Sequence, residues 1–115
     1  MVFLLLKRLS LVSPATAREC LKQGALVIDV RTREEFQERH LPAAVNLPLG
    51  QLRDGIARCA PDREQRLLLH CLSGTRSGVA RAMLKKMGYR NVFNLGSYGR
   101  AQRILAAERG IEKQN

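Results

Sequence analysis

Short apolar runs recur along the chain and predict buried strands. Residues 25–30 and 67–70 are the clearest, because nearly every position in them is apolar, which is typical of a strand covered on both faces. Residues 92–95 predict a third strand. A further short strand is expected at Val45 and Asn46, within an irregular stretch.

Segments with helical character separate these strands. Ser13 and Pro14 open the first helix, and Thr32 with Glu35 three residues later forms the capping-box pattern of a short second one. Strands that alternate with helices predict an α/β fold, with a small, mainly parallel sheet and helices on both of its faces. The predicted helices span residues 13–23, 32–39, 49–59, 77–87 and 98–108.

Length and composition are compatible with this fold. A chain of 115 residues suits one domain, taken here as residues 1–115 with about the first ten as a candidate flexible N-terminus. Hydrophobic residues make up 45% of the chain and charged residues 26%, which is ordinary for a globular protein. No run approaches the roughly 18 apolar residues of a membrane span.

The formal net charge of +10 predicts attraction of anions. The basic residues are spread along the whole chain and aromatic residues are only 4%, so nucleic acid is not an expected partner. Lys7 and Arg8 interrupt the apolar N-terminal segment before it reaches the length of a signal peptide core. A cytoplasmic location is therefore expected, with export as the alternative.

Cys71 is the candidate catalytic residue. It follows the predicted strand 67–70 and precedes a short loop and a helix, so its sulfur should meet unpaired backbone N–H groups that favour the reactive thiolate. Gly74 allows the loop to curve sharply, and Arg76 adds a positive charge in a loop without acidic residues. The arrangement suits an anionic sulfur, an oxyanion or a phosphate.

Several stretches of the chain resemble single-domain rhodaneses. Residues 70–77, His-Cys-Leu-Ser-Gly-Thr-Arg-Ser, are similar to the active-site signature of that family. Residues 28–36, 40–48 and 88–96 resemble three further stretches of it, in the right order and at the right spacing. A resemblance from about residue 25 to residue 96 is far more specific than one motif.

The resemblance implies a thiosulfate sulfurtransferase. In such an enzyme Cys71 would carry the transferred sulfur as a persulfide, without a metal ion or an organic cofactor. The expected partners are a small anionic sulfur donor resembling thiosulfate and a thiol or cyanide acceptor. The substrate-binding residues would then be those of the loop, namely Leu72, Ser73, Gly74, Thr75 and Arg76.

Two alternatives remain open beside this interpretation. A cysteine-dependent phosphatase or an arsenate reductase could share the fold. The motif of such phosphatases is similar to Cys followed by five residues and then Arg, whereas here only residues 72–75 lie between Cys71 and Arg76. The smaller ring favours a single sulfur atom over a tetrahedral phosphate. A non-catalytic binding module of the same fold is the third hypothesis, and the intact Cys71 and Gly74 disfavour it.

Other polar residues have more than one expected role. Asp29 could act as a general acid, pair with Arg76 or cap backbone donors, so Arg76 either binds the anion or braces the loop against Asp29. His70 should point to the sheet face opposite Cys71, because side chains alternate along a strand. Cys20 and Cys59 are expected to be structural, and no C-x-x-C pair indicates a zinc site.

Overall fold

The computed structural model describes residues 10–114, with side chains up to residue 107, and is built around one parallel sheet. The four strands lie in the order β2-β1-β3-β4. All three neighbouring pairs are parallel, which confirms the predicted α/β fold. The strands are β1 (Leu26–Asp29), β2 (Ala44–Asn46), β3 (Leu67–His70) and β4 (Val92–Gly96).

The register of the sheet aligns the carboxyl ends of its strands. Asp29 at the end of β1 is paired with Asn46 of β2 and with His70 of β3. An irregularity after Leu69 sets His70 opposite Gly96, the last residue of β4. The segments that follow β1, β3 and β4 therefore leave from one edge, where parallel α/β sheets place their ligands.

Within residues 10–114, five α-helices connect and cover the strands. A short 3-10 turn, Leu49–Gln51, precedes the third helix, so the predicted single helix over residues 49–59 is divided in two. The predicted capping box is present, with Glu35 N donating to the Thr32 hydroxyl and Thr32 N to the Glu35 carboxylate. The helices are α1 (Pro14–Lys22), α2 (Arg33–Glu38), α3 (Leu52–Cys59), α4 (Thr75–Lys86) and α5 (Tyr98–Gln114).

The sheet divides the core into two apolar clusters, one on each face. Because side chains alternate along β3, Leu67 and Leu69 enter the cluster under α3 and α4, and Leu68 enters the cluster under α1 and α5. The first cluster includes Ile28, Leu52, Ile56, Ala80 and Leu84, and the second Val27, Ala17, Leu95, Ala101 and Ile104. The prediction of helices on both faces is confirmed.

Helix α4 begins at Thr75, two residues before the predicted start. Gly74 is its N-cap residue and has a φ of +99°, so the chain turns from the loop directly into the helix. The cysteine loop is therefore shorter than expected and lies against the helix N-terminus.

Two other predictions concern the ends of the chain. The candidate flexible segment at about residues 1–10 lies almost wholly outside the described residues, and the extent of the domain stays a prediction. Within residues 10–114, no helix is long and apolar enough to cross a membrane. The cytoplasmic location also stays a prediction.

Candidate active site

Cys71 lies at the carboxyl end of the sheet. It follows β3 directly, and its backbone N–H donates to the carbonyl of Gly96 over 3.2 Å, which continues the pairing of β3 with β4 by one residue. Its side chain is fully buried beneath the loop and is part of the cluster under α3 and α4. The thiol is thus fixed at the position predicted for the nucleophile.

The loop after Cys71 folds back over the sulfur atom. The N–H of Gly74 donates to Cys71 Sγ over 3.0 Å, and the hydroxyl of Ser77 lies 3.5 Å from the same atom. Both donors belong to the start of α4, where the helix dipole also favours negative charge. The site therefore offers one backbone and one side-chain donor to an anionic sulfur.

The loop is attached to β4 and to the start of α5. Tyr98 N donates to the carbonyl of Leu72 over 3.1 Å, and Asn94 Nδ2 donates to the carbonyl of Gly74 over 3.2 Å. A Cβ on Gly74 would lie 3.3 Å from the Cα of Gly96, so the two glycines permit a close backbone approach. These contacts set the distance of the loop from the sheet edge.

The remaining loop side chains face outward. Leu72 is 53% exposed and Ser73 and Thr75 are also exposed, with the Ser73 hydroxyl donating to Thr75 Oγ1 over 3.4 Å. Leu72 is the large apolar side chain on this rim. Among the predicted substrate-binding residues, Gly74 contacts Cys71 Sγ through its backbone N–H. The side chains of Leu72, Ser73 and Thr75 are exposed at the rim of the site.

The surroundings lower the pKa of the Cys71 thiol. Burial acts in the opposite direction and is the largest single influence, since it disfavours the charged form. The Ser77 hydroxyl and the backbone N–H groups of Ser77, Gly74 and Ser73 together outweigh it. A thiolate is therefore favoured at Cys71 relative to a free cysteine.

Arg76 is paired with Glu35, not with Asp29. Its two terminal nitrogens donate to the two Glu35 carboxylate oxygens over 2.7 and 3.0 Å. The bond to Arg76 is the main reason why the pKa of Glu35 is lowered to about 2. The alternative in which Arg76 braces the loop against Asp29 is wrong, because the guanidinium reaches across to helix α2.

Comparison with known proteins agrees with this geometry. The family model described as the rhodanese-like domain matches residues 13–99, which include every strand and the cysteine loop. The chain belongs to the rhodanese-like domain family.

Three relatives show how far the similarity to other rhodanese-like proteins extends. Thiosulfate sulfurtransferase PspE of Escherichia coli is 39% identical over 69 residues, which are 60% of this chain and 66%, just under two thirds, of that protein. Thiosulfate sulfurtransferase GlpE of Pseudomonas savastanoi is 32% identical over 73% of this chain and 77% of its own. The structure of the human single-domain sulfurtransferase TSTD1 covers 82% of this chain and 96% of its own, with 27% identity and a TM-score of 0.69.

In this rhodanese-like domain, the Asp29 carboxylate forms an ion pair with the nearby Arg31. The guanidinium donates to both carboxylate oxygens, at 2.7 Å from Nη2 and 3.0 Å from Nε, and both side chains are buried. Asp29 Oδ1 also accepts from the backbone N–H of Arg31. Asp29 therefore caps a backbone donor, as one of its expected roles required, and holds the chain that leaves β1.

His70 packs on the sheet face away from the Cys71 side chain, as predicted. Its ring is fully buried and meets Tyr98 edge-on, with 5.8 Å between the ring centroids. Its Nδ1 lies 3.3 Å from the carbonyl of Cys71, and burial is the main reason why its pKa is lowered. A buried ring on the sheet face opposite Sγ is a poor candidate for a catalytic base.

The other two cysteines differ from each other. Cys20 is buried in the cluster under α1 and α5, and burial raises the pKa of its thiol, so it is structural as predicted. Cys59 is exposed at the end of α3, so the expectation that it is structural is wrong. Within the described part of the chain, no group of three His, Cys, Asp or Glu residues could hold a metal ion.

Sequence reasoning gave no role in the site to Ser77 or Glu35, although both lie in stretches that resemble the family. Ser77 could have been found, because it lies on the same helical stripe as the buried Ala80 and Leu84, and a hydroxyl buried there needs a partner. Glu35 gave no such signal. Its approach to Arg76 joins positions 41 residues apart.

Proposed function

We propose that this rhodanese-like domain is a sulfurtransferase. It would move a sulfane sulfur from thiosulfate or a similar donor to a thiol or cyanide acceptor through a persulfide on Cys71. The observation that carries the proposal is the bond from Gly74 N to Cys71 Sγ within a loop of three residues at the start of α4. Two relatives that bear the name thiosulfate sulfurtransferase support the same reaction class.

The first step loads sulfur onto the enzyme. The Cys71 thiolate attacks the outer sulfur of thiosulfate, a bond forms between Sγ and that sulfur, and sulfite leaves with the electron pair of the broken sulfur–sulfur bond. The negative charge is then on the outer sulfur of the persulfide. Backbone N–H groups of residues 72–76, in the loop and at the start of α4, are the available donors for that charge.

The second step unloads the sulfur. An acceptor thiolate or cyanide attacks the outer sulfur, the bond to Cys71 Sγ breaks, and the thiolate of Cys71 is restored as the leaving group. A leaving group with a lowered pKa departs faster, so the donors that lower the pKa of Cys71 assist this step as well. Neither step requires a metal ion, an organic cofactor or an external proton donor.

The loop side chains have separate proposed roles. Leu72, which is exposed beside the sulfur, offers an apolar contact to an incoming donor or acceptor. Ser73 and Thr75 offer hydroxyls at the rim, and Gly74 gives its N–H. Arg76 is neutralised by Glu35, which it holds through two hydrogen bonds, so we expect it to brace the loop against α2 without direct contact with the donor.

The phosphatase and arsenate reductase alternative receives less support. Cleavage of a phosphate ester needs an acid that protonates the leaving alkoxide. Glu35 is the carboxyl group bound to the loop, and with a pKa of about 2 it is ionised at neutral pH. Asp29 is buried and both of its carboxylate oxygens accept from Arg31, so it is not free to approach a leaving group.

The proposal is tested by intact-mass measurement after treatment with thiosulfate. The wild-type chain should gain the mass of one sulfur atom and lose it on addition of cyanide or dithiothreitol. Cys71→Ser should gain nothing, because the only change is sulfur to oxygen at the nucleophile. Cys20→Ala and Cys59→Ser should load as the wild type does.

Two results would overturn the assignment. One is sulfur loading of the Cys71→Ser variant at the wild-type level. The other is hydrolysis of an aryl phosphate by the wild-type chain at a higher kcat/KM than its transfer of sulfur from thiosulfate to cyanide, which would favour the phosphatase.

A further inference from the structure

The hydroxyl of Ser77 has one hydrogen and two acceptors within reach. Ser77 is fully buried in the first turn of α4. Its Oγ lies 3.1 Å from the carbonyl oxygen of Gly74 and 3.5 Å from Cys71 Sγ. Since a hydroxyl donates one hydrogen bond at a time, it can serve only one of these acceptors in any given state.

The Gly74 carbonyl does not depend on Ser77. It also accepts from the backbone N–H of Gly78 over 3.0 Å and from Asn94 Nδ2 over 3.2 Å. If the Ser77 hydroxyl turns towards Cys71, this buried carbonyl keeps two donors and no polar group loses its last partner. Reorientation of the hydroxyl is therefore inexpensive.

Asn94 lies in β4, which orients its side-chain amide towards the Gly74 carbonyl. Its side chain is fully buried, and its Oδ1 accepts from Gly96 N over 2.8 Å. The amide nitrogen is thereby directed at Gly74, 20 residues away in the sequence. Asn94 is a positioning residue in this arrangement, since it reaches the sulfur only through other groups.

We propose that the Ser77 hydroxyl is a catalytic group that turns between two acceptors during the reaction: it donates to Cys71 Sγ in the thiolate state and to the Gly74 carbonyl in the persulfide state. The second half of this proposal rests on the proposed sulfurtransferase function. The first half concerns only the ionisation of Cys71.

The direction of the turn follows from the position of the charge. When Cys71 releases its proton to solvent, Sγ becomes a strong acceptor beside the hydroxyl. When the persulfide forms, Sγ has two covalent bonds and the charge lies on the outer sulfur, so Sγ accepts poorly. The unloading step returns the electron pair to Sγ, and the hydroxyl can then stabilise the leaving thiolate.

The ionisation of Cys71 provides the first test. In a Cys20→Ala/Cys59→Ser background Cys71 is the only thiol, since the chain has three cysteines, and its thiolate can be titrated by ultraviolet absorbance. Ser77→Ala should raise the midpoint by about one pH unit, equivalent to about a tenfold smaller thiolate fraction below it. Ser13→Ala is the control, because its hydroxyl lies at the start of α1, where it contacts Thr16, and should leave the midpoint unchanged.

A second pair of variants separates the hydroxyl from packing. Ser77→Thr keeps a hydroxyl and Ser77→Val replaces it with a methyl group of similar size. We expect Ser77→Thr to keep the wild-type midpoint of the Cys71 titration and Ser77→Val to shift it upward. An equal midpoint in Thr and Val, or an Ala variant with the wild-type midpoint, would overturn the role of the hydroxyl.

Steady-state kinetics test the second half. At neutral pH, Ser77→Ala should lower kcat for transfer from thiosulfate to cyanide several-fold with little change in the KM for thiosulfate, because no contact with the donor is removed. If the wild-type chain fails to load sulfur while the midpoint shifts as expected, the proposed function is wrong and the role in ionisation stands. If the wild-type chain loads sulfur and Ser77→Ala has the wild-type kcat, the proposed turn of the Ser77 hydroxyl during the reaction is wrong.

Discussion

At the scale of single residues, the site depends on which charged groups are already paired. Asp29 and Arg31 neutralise each other in the interior, and Arg76 and Glu35 do so at the surface. The loop therefore carries no unpaired carboxylate that would repel an anionic donor. The buried thiol can ionise although burial opposes its charge, because the Ser77 hydroxyl and the backbone N–H groups of Ser77, Gly74 and Ser73 lower its pKa.

The Arg76–Glu35 pair should brace α2 against the cysteine loop. The two side chains are 34% and 29% exposed, so solvent screens the pair and its contribution to the free energy of unfolding should be about 1 kcal/mol or less. Arg76→Ala and Glu35→Gln should each lower the free energy of unfolding by that contribution. The double variant should be no less stable than either single variant, because the pair is already broken in each of them. Urea unfolding measures all three, with Glu34→Gln as the control from the same helical turn.

The same pair predicts a dependence on pH. The pKa of Glu35 is depressed in the folded chain, so its contribution to stability is fully present above the unfolded value of about 4.3 and is lost as pH falls through about 2. The stability difference between the wild type and Glu35→Gln should therefore shrink below about pH 4.3. A difference that is unchanged between pH 7 and pH 3 would show that the ion pair does not stabilise the fold.

At the scale of elements, the junction between β3 and α4 decides the shape of the site. Gly74 combines a left-handed conformation with a close approach to Gly96, and both come from its missing side chain. Because the helix begins at Thr75, immediately after this residue, its first N–H groups are directed at the sulfur. A longer connection would move those donors away.

Gly74→Ala tests this junction, with Gly24→Ala as the matched control. Both glycines have positive φ, +99° and +86°, but nothing lies within 4 Å of a Cβ on Gly24. Gly24→Ala should cost about 1–2 kcal/mol for the left-handed conformation alone and keep sulfur transfer. Gly74→Ala should cost more in thermal unfolding and reduce sulfur transfer, because the loop must move away from Gly96.

An equal loss of stability in the two variants, with transfer retained in both, would contradict the close approach. It would mean that the loop can shift by a few tenths of an ångström without disturbing the donors around Cys71.

At the scale of the whole molecule, the net charge of +10 should assist anionic reagents. Iodoacetate is an anion and iodoacetamide is neutral, and both alkylate the Cys71 sulfur. The effect of burial on the alkylation rate is therefore removed when the two rates are compared. The ratio of iodoacetate to iodoacetamide rates should fall as salt shortens the screening length from about 10 Å at 0.1 M to about 3 Å at 1 M. The kcat/KM for thiosulfate should fall in parallel.

A ratio that does not change with salt would show that the basic surface has no part in attracting the donor. The excess of Lys and Arg would then be an ordinary solvated surface, which is the simpler interpretation of cations spread along the chain.

The sequence by itself predicted most of the strands and helices and placed the candidate nucleophile. The apolar runs that became β1, β3 and β4 are buried strands with almost the predicted ends, and Thr32 with Glu35 forms the predicted capping box. Cys71 was identified from its place between a strand and a helix. These features depend on residues close together in the chain, where periodicity and capping chemistry act.

Only the tertiary structure decided which distant groups meet. It paired Arg76 with Glu35, 41 residues away, where the sequence analysis had offered Asp29 as one candidate partner. It also brought Asn94 to the carbonyl of Gly74 through the irregular register of β3 and β4. Local patterns carry no information on such pairs, because the strand order and the packing of α2 beside the loop bring them together.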